Sequence, residues 1–410
     1  MTFENRRAGS IKSSPSMAIA MAAKKLASEG RDIIDLSLGE PDFEAPNHVA
    51  DAACAAIRNG GIRYGAPAGM ESLRQAIVNK FRIENRLEYA IDEVMVANGA
   101  KQILFDVFLA TLEPGDEVII PTPCWVSYGD IVSLHGGEPV YVVCRPEVGF
   151  KIAAESLEAC ITPKTRWLML NSPSNPTGAI YSAKEYRTLA AVLARHPQVR
   201  IVSDEIYEHI LLKEVAFVSF GEACPELRDR TLIVNGVSKA YAMTGWRVGY
   251  AAGPKALIAA LNKMQSQSVS SVSTIAQAAA LAALTGDQSF VAEAASTFAR
   301  RSKIVADRLA HIKELDFTPP DGAFYAFIGV GKLLGRKTTA GHAISDDTAF
   351  SSQLLQEFGL SSVPGAAFGA PGFIRLSIAA SEEELERACG RLADMVQSLP
   401  ATEKTSSDSN

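Results

Sequence analysis

Asn235-Gly-Val-Ser-Lys-Ala-Tyr-Ala-Met-Thr-Gly-Trp-Arg247 is the stretch of sequence from which the fold can be worked out. The apolar run Thr231-Leu-Ile-Val leads into it, and residues 246–253 lead out of it. The length and β-branched content of these flanks predict two short buried strands. Between them lies a glycine-bounded turn in which Lys239 directly follows Ser238.

The residue types in this turn suggest a particular chemistry. A lysine held at a strand end, near a cation and partly desolvated, can lose its proton and attack a carbonyl. Arg247 lies eight residues after Lys239, where its planar guanidinium could hold a phosphate with two hydrogen bonds. Together they suggest a Schiff-base lysine beside a phosphate clamp, as pyridoxal 5′-phosphate requires. From these residues alone, a surface lysine and a core arginine in an ion pair explain the stretch equally well.

Length and composition exclude several classes of protein. The chain has 410 residues, of which 47% are hydrophobic and 21% charged, as in ordinary globular proteins with roughly two to three domains. A net charge of −6 and the lack of a long basic stripe argue against nucleic-acid binding. No apolar run in the sequence reaches about 18 residues, so we expect no membrane span. The six cysteines form no C-x-x-C pair, which predicts free thiols and a cytoplasmic protein.

Three further residues follow apolar runs that we predict to be successive strands. Asn175 follows the run that ends at Leu170, Asp204 ends the next run, and Lys239 follows the third. The intervals of 29 and 35 residues each leave room for a helix or a long connection. This repeating βα pattern predicts a largely parallel sheet, with the three residues on one edge. A buried Asp204 would need a cation, such as a protonated pyridine nitrogen, although a helix cap is the alternative explanation.

Two other positions fit the same interpretation. Gly99 and Ala100 precede a predicted helix that extends to about Leu112, and backbone N–H groups at a helix start attract anions such as phosphate. Many helices start with small residues, so this signal is weak by itself. The indole of Trp125 could stack on a pyridine ring, or the residue could simply belong to the core.

The stretch Ser238-Lys-Ala-Tyr-Ala-Met-Thr-Gly-Trp-Arg247 resembles the lysine motif of class I aminotransferases, which are fold-type I enzymes that use pyridoxal 5′-phosphate. Matching blocks extend from about Ser14 to Ala379, and the likeness is greatest to bacterial aspartate aminotransferases of the Iγ type, some of which also use prephenate. The resemblance implies an α/β fold with a mostly parallel seven-stranded sheet in a large domain and a smaller α/β domain. It also implies a homodimeric transaminase with shared active sites, acting on amino acids and 2-oxo acids.

The resemblance assigns roles to residues that match the family's motifs. Lys239 would be catalytic and would carry the cofactor, while Arg375 would bind the α-carboxylate of the substrate. Lys101 would bind the distal carboxylate, or would only neutralise the phosphate. Gly39 would offer its backbone N–H to a substrate carboxylate, in a turn that also needs no function to explain it. The remaining cofactor contacts would be Tyr64 from the neighbouring subunit, Gly99, Ala100, Lys101, Trp125, Asn175, Asp204, Tyr207, Ser238 and Arg247, with Trp125 and Asn175 also near the substrate.

The likeness also implies domain bounds. We expect a large cofactor-binding domain at 48–287, a small domain formed by 1–47 with 313–399, a joining helix at 288–312, and a disordered tail at 401–410.

Two departures from the family pattern leave the substrate open. Ala18 and Gly65 stand where the Iγ enzymes usually carry threonine. Aspartate or a related dicarboxylic amino acid, with an acceptor such as 2-oxoglutarate, is the preferred prediction. The alternatives are an aminotransferase for prephenate, aromatic or neutral amino acids, a pyridoxal-phosphate lyase on the same fold, a binding protein without activity, or a nicotinamide oxidoreductase.

Overall fold

A computed structural model describes residues 3–5, 9, 11, 15–338 and 341–400. The chain divides into two units, which are considered separately. The first contains Glu40–Ala299, Asp321–Ala323 and the described residues of Met1–Lys12. The second contains the described residues of Ser13–Gly39, Arg300–Pro320 and Phe324–Asn410.

The secondary structure alternates between strands and helices through most of the chain. The strands are β1 (Ile34–Asp35), β2 (Val94–Ala97), β3 (Glu117–Thr122), β4 (Glu138–Val143), β5 (Thr165–Asn171), β6 (Arg200–Asp204), β7 (Thr231–Gly236), β8 (Gly249–Ala252), β9 (Asp316–Phe317), β10 (Tyr325–Gly329), β11 (Leu360–Ser361), β12 (Val363–Pro364) and β13 (Phe373–Ser377). The helices are α1 (Pro15–Ser28), α2 (Asn47–Asn59), α3 (Glu71–Glu84), α4 (Ala100–Thr111), α5 (Ser127–Leu134), α6 (Ala154–Cys160), α7 (Ala183–Leu193), α8 (Phe220–Ala223), α9 (Lys255–Ser268), α10 (Thr274–Thr285), α11 (Ser289–Leu309), α12 (Asp347–Phe358) and α13 (Glu382–Gln397).

Seven strands form the sheet of the first unit, in the order β2-β8-β7-β6-β5-β3-β4. Among the described strands of this sheet, β8 runs antiparallel to both neighbours, and the other pairs are parallel. Because β2 and β7 each pair antiparallel with β8, they run in the same direction. The predicted mostly parallel seven-stranded sheet of a fold-type I enzyme is therefore confirmed.

Apolar residues on both faces explain why this sheet is buried. In β2, Val94 and Val96 pack into one hydrophobic cluster, whereas Met95 and Ala97 pack into another. The first of these clusters includes residues of α2, α3 and α10, and the second includes residues of α4, α5 and α9. A third cluster joins β5 and β6 to α6, α7 and α8. Helices thus cover both faces, as expected for a parallel sheet.

Local sequence signals set several helix ends. Ser182 and Glu185 cap the start of α7 reciprocally, each accepting a hydrogen bond from the other's backbone N–H. The side chain of Asp346 accepts the N–H of Ala349 at 2.8 Å at the start of α12. Gly359 ends that helix in the left-handed conformation, with φ of 67°.

The second unit is a smaller α/β assembly. Its main sheet has the order β12-β13-β10-β9, with antiparallel pairing throughout its described strands, and β1 pairs in parallel with β11. Helix α12 packs on α13 and on β11 and β12. The register places Arg375 opposite both Phe327 and Val363. Arg375 therefore lies on a central strand with neighbours on both sides.

The two units differ in detail from the expected domains. Residues 40–47, which we expected in the small domain, group with the first unit, and the division falls inside α11, between Ala299 and Arg300. That helix covers Ser289–Leu309, within the joining helix expected at 288–312. The predicted tail at 401–410 lies outside the described residues.

None of the described helices is both long and apolar enough to cross a membrane.

Candidate active site

The predicted cofactor residues of the first unit follow strand ends that meet at one edge of the sheet. Asp204, the last residue of β6, pairs with Asn171 at the end of β5 and with Val234 near the end of β7. On the other side of β7, Gly236 pairs with Gly249 at the start of β8. Gly249 in turn pairs with Ala97 at the end of β2. The loops that carry Gly99, Trp125, Asn175, Lys239 and Arg247 therefore leave or enter the sheet at the same edge. Such an edge is where open α/β sheets bind ligands.

Asp204 is a buried carboxylate with several hydrogen-bond donors. The hydroxyl of Tyr128 donates to its Oδ2 at 2.8 Å, and the N–H of Ile206 donates to its Oδ1 at 3.3 Å. Burial raises the pKa of Asp204 to about 6, while these two donors and the charge of Lys239 act in the opposite direction. A turn follows Asp204 rather than a helix, so the alternative explanation of a helix cap is wrong.

Asn171 connects the Asn175 loop to the strand that carries Asp204. Its side-chain amide donates to the backbone carbonyl of Asp204 at 2.9 Å, and its carbonyl accepts the N–H of Asn175 at 2.8 Å. The loop contains cis peptide bonds before Pro173 and Pro176. Asn175 is 6% exposed, so the loop holds it as a buried polar residue at the sheet edge.

The Lys239 turn is closed by backbone hydrogen bonds. Met243 donates its N–H to the carbonyl of Ser238 at 3.2 Å, and Ala242 donates to that of Lys239 at 3.4 Å. Ser238 is buried and Lys239 is half-buried. Since the charge of Lys239 lowers the pKa of Asp204, the fold brings this predicted pair together.

Arg247 and Lys101 place two cations at the start of α4. Arg247 follows a short 3-10 turn, so the strand that we expected from 246 begins only at Gly249. A Cβ built on Gly99 would overlap the Arg247 guanidinium, and Gly99 also has φ of 86°, so this position requires glycine. Burial and then the charge of Arg247 lower the pKa of Lys101. Two cations beside the free N–H groups of a helix start form an environment that attracts an anion.

The predicted aromatic residues differ in their surroundings. The ammonium of Lys101 lies 4.7 Å from the centre of the Trp125 ring, and Tyr128 meets the same ring edge-on at 5.3 Å. Tyr207 is buried. Tyr64 is 94% exposed, and its predicted contact with a neighbouring subunit remains a prediction.

In the second unit, Arg375 is 3% exposed and lies between two aromatic rings. Its guanidinium is 4.4 Å from the centre of the Tyr325 ring and 5.0 Å from that of Phe368. One of its terminal nitrogens donates to the backbone carbonyl of Ser37 at 2.5 Å. A Cβ on Gly39 would overlap the Tyr325 hydroxyl, which supplies a packing reason for this glycine beside the two that the sequence suggested, substrate approach and a plain turn.

Sequence reasoning missed Asn171, Tyr128, Tyr325 and Phe368. Tyr128 could have been suspected, because it lies only three residues after Trp125, at the start of the helix that follows β3. Tyr325 and Phe368 had no such signal. A buried arginine predicts that some partner exists, but it does not indicate which aromatic residues will be folded next to it.

Comparison with known proteins identifies the family. Residues 31–392 match the family model described as "Aminotransferase class I and II". An aspartate aminotransferase of Rhizobium meliloti is 50% identical over 387 residues, covering 94% of each chain, and an aspartate/prephenate aminotransferase of Nitrosomonas europaea is 47% identical over 96% of this chain and 99% of the relative.

A solved structure of the Thermus thermophilus aspartate aminotransferase with maleate is 41% identical and superposes with a TM-score of 0.90, covering 96% of this chain and all of the other. Class I and II aminotransferases use pyridoxal 5′-phosphate to move amino groups between amino acids and 2-oxo acids, usually as dimers. The chain belongs to this family, as the lysine motif predicted, and is a transaminase.

Proposed function

We propose that this aminotransferase binds pyridoxal 5′-phosphate at the sheet edge around Lys239 and transfers the amino group of aspartate, or of a related dicarboxylic amino acid, to a 2-oxo acid such as 2-oxoglutarate. The observation that carries the proposal is the buried Asp204 beside Lys239, at the same edge as the cation pair Lys101 and Arg247. The relatives named as aspartate aminotransferases support the choice of substrate.

The residues at this edge fit the cofactor. Asp204 is an acidic group whose burial is costly unless a cation faces it, and a protonated pyridine nitrogen would supply that cation. Arg247, Ser238 and the backbone of Gly99 and Ala100 offer the donors that a phosphate needs. Asn175 and Tyr207 would donate to the phenolic oxygen, and Trp125 would lie against the ring. When bound, the cofactor supplies an electron sink for the electrons released at the substrate's Cα.

Lys239 has two tasks in this proposal. Its Nζ would hold the cofactor covalently and would be released when the substrate amine binds. The free amine of Lys239 would then move the proton of the substrate's Cα, acting first as a base and then as an acid. The ionised Asp204 would favour the protonated form of the cofactor's ring nitrogen. A second oxo acid reverses the same proton movements in a ping-pong cycle.

Substrate recognition would need two cations. Arg375 would bind the α-carboxylate with its planar fork, next to the backbone N–H of Gly39. Lys101 would bind the distal carboxylate and thereby favour dicarboxylic amino acids. A charge-assisted hydrogen bond contributes about 1.5–3 kcal/mol, which corresponds to roughly a 10- to 150-fold preference over alanine. We further propose a homodimer in which Tyr64 of each subunit contacts the neighbouring cofactor phosphate.

The test is a panel of amino donors with 2-oxoglutarate as acceptor. We expect the highest kcat/KM with aspartate or glutamate, and the loss of turnover by several orders of magnitude in Lys239→Ala. Borohydride reduction of the wild type should attach the cofactor to Lys239. A labelled peptide that lacks this lysine would overturn the assignment of Lys239. A higher kcat/KM with alanine or phenylalanine than with aspartate or glutamate would overturn the choice of substrate.

Lys101→Ala separates the two roles of Lys101. If Lys101 binds the distal carboxylate, kcat/KM for aspartate falls while that for alanine is unchanged. An equal fall for both donors, together with weaker cofactor binding, would mean that Lys101 serves only the phosphate.

Prephenate is a second candidate acceptor, because the Nitrosomonas europaea relative is named an aspartate/prephenate aminotransferase. The measurement is oxaloacetate formation from aspartate with prephenate in place of 2-oxoglutarate. A rate with prephenate below one hundredth of that with 2-oxoglutarate, roughly a 2.7 kcal/mol difference, would exclude it as a main substrate.

A further inference from the structure

We propose that Tyr128 is a positioning residue whose hydroxyl keeps the Asp204 carboxylate ionised and oriented toward the sheet edge. The inference rests on the proposed role of Asp204 as the partner of a cationic ring nitrogen. It assigns a function to a side chain of α5 that the sequence did not place among the cofactor residues.

The geometry restricts the carboxylate strongly. Oδ2 of Asp204 accepts the Tyr128 hydroxyl at 2.8 Å, and Oδ1 accepts the N–H of Ile206 at 3.3 Å. The side-chain amide of Asn171 also donates to the backbone carbonyl of Asp204 at 2.9 Å and so holds the backbone of Asp204 in place. With one donor on each oxygen, the plane of the carboxylate is set before any ligand arrives. An ionised carboxylate has about four acceptor positions, so two donors leave room for a cation.

The direction of the hydrogen bond decides what Tyr128 does. Burial, and then the charge of Asp204, raises the pKa of Tyr128 well above its ordinary value, so the phenol keeps its proton. A neutral phenol facing a carboxylate donates, and donation favours the ionised form of the acid. Burial favours the neutral form of Asp204, whereas the hydrogen bond from Tyr128 favours its ionised form. A carboxyl group that became protonated would stabilise a pyridinium far less.

Packing alone would not require the hydroxyl. The ring of Tyr128 belongs to the hydrophobic cluster that includes Ile131 and Val132 of the same helix, and it meets Trp125 edge-on at 5.3 Å. A phenylalanine would fill the same space and keep both sets of contacts. The hydroxyl is therefore the part of the side chain whose effect can be isolated by Tyr128→Phe.

The experiment measures the protonation of Asp204 directly, in the apoenzyme. The infrared band of a protonated carboxyl group is followed against pH, and Asp204→Asn identifies the contribution of Asp204. We expect the titration midpoint of Asp204 to rise by about 1 to 2 pH units in Tyr128→Phe, because a hydrogen bond to a charged group is lost. A midpoint equal to that of the wild type would overturn the proposal and leave Tyr128 a packing residue.

A matched control is available in Tyr89→Phe. Tyr89 is also buried, at 7% exposure, but it packs in a different cluster and against Arg228. We expect this variant to leave the midpoint of Asp204 unchanged. An equal shift in both variants would show that losing any buried hydroxyl has the effect, which contradicts the specific role of Tyr128.

A second substitution keeps the inference testable if Tyr128→Phe does not fold. Site-specific 3-fluorotyrosine at position 128 has nearly the same shape and a more acidic phenol, so it should lower the Asp204 midpoint. An unchanged or raised midpoint would contradict the proposal. Because the titration uses neither cofactor nor substrate, its outcome is independent of whether aspartate is the amino donor.

Discussion

In the first unit, Asp204 is buried with hydroxyl and amide donors on its carboxylate oxygens, and in the second unit Arg375 is buried between the rings of Tyr325 and Phe368. The carboxylate can respond to burial by taking up a proton, and its pKa is accordingly raised to about 6. A guanidinium has no such response, because it stays charged in proteins. The fold therefore surrounds Arg375 with aromatic faces and a carbonyl oxygen, all of which favour a cation.

The difference indicates what each residue can do. Hydrogen-bond donors adjust how readily Asp204 carries its charge, which suits the role that we propose for it as the partner of a ring nitrogen. The surroundings of Arg375 fix its position and leave its charge constant, which suits its proposed role of binding the carboxylate present in every amino acid. Four substitutions test whether these buried groups differ in this way.

The largest effect is expected for Asp204→Asn. The amide has the same shape, but it cannot balance a positive charge on the ring nitrogen. We expect the single-turnover rate with aspartate to fall about 10³-fold, the size of effect seen when one electrostatic contact to a transition state is removed. Cofactor binding should persist. A near-normal rate would show that the charge of Asp204 is not used.

Arg375→Leu should act on binding rather than on proton transfer. The substrate carboxylate would lose a buried charged partner, at a cost of about 3.4 kcal/mol, so kcat/KM should fall about 300-fold, mainly through KM. Arg375→Lys should recover part of this loss, since a lysine keeps the charge without the fork. Arg391→Leu is the control, because Arg391 bonds to Gly359 and Asp32 and should leave KM unchanged. A fall in kcat without a change in KM would contradict the assignment.

Glu205 provides a buried acid outside the proposed chemistry. Its Oε1 accepts from Ser203, Ser219 and the N–H of Phe220, and burial, followed by the charge of Glu208, raises the pKa of Glu205 from 4.5 to about 8. The folded protein therefore holds this proton more tightly than the unfolded chain, so the free energy of unfolding falls as pH rises through this window.

Glu205→Gln should remove this dependence. Between pH 4.5 and 7, the wild type should lose about 3 kcal/mol of stability relative to the variant. Denaturant unfolding at several pH values measures the difference, and turnover should remain close to that of the wild type. Parallel stability curves for both proteins would mean that Glu205 does not bind its proton more tightly in the folded state.

The smallest effect is expected for Phe368→Leu. The substitution removes one of the two aromatic faces next to Arg375, and a contact of this kind contributes about 0.5–1 kcal/mol, so KM for aspartate should rise about 2- to 5-fold. Phe350→Leu is a control of equal size, since Phe350 is fully buried in α12. Equal KM values in the two variants would show that the ring of Phe368 only fills space.

Local sequence patterns were enough to predict the sheet and the edge at which the proposed site lies. Short continuous apolar runs and the spacing between them indicate which residues end a strand, because both are properties of neighbouring residues in the chain. Asn175, Asp204 and Lys239 could therefore be placed together before the structure was known. Family likeness added proposed roles for residues such as Arg375, which lies in a short family-like motif.

Tertiary structure decided the partners that control these residues. Tyr128 is 76 residues away from Asp204 in the sequence, and Ser37 is 338 residues away from Arg375. Such contacts depend on the packing of whole helices and strands against one another, and no local pattern encodes them. The bounds of the two units were decided in the same way, since residues 40–47 join the first unit through contacts rather than through chain order. A buried charge predicts that partners exist, but only the packed chain selects which side chains fill that role.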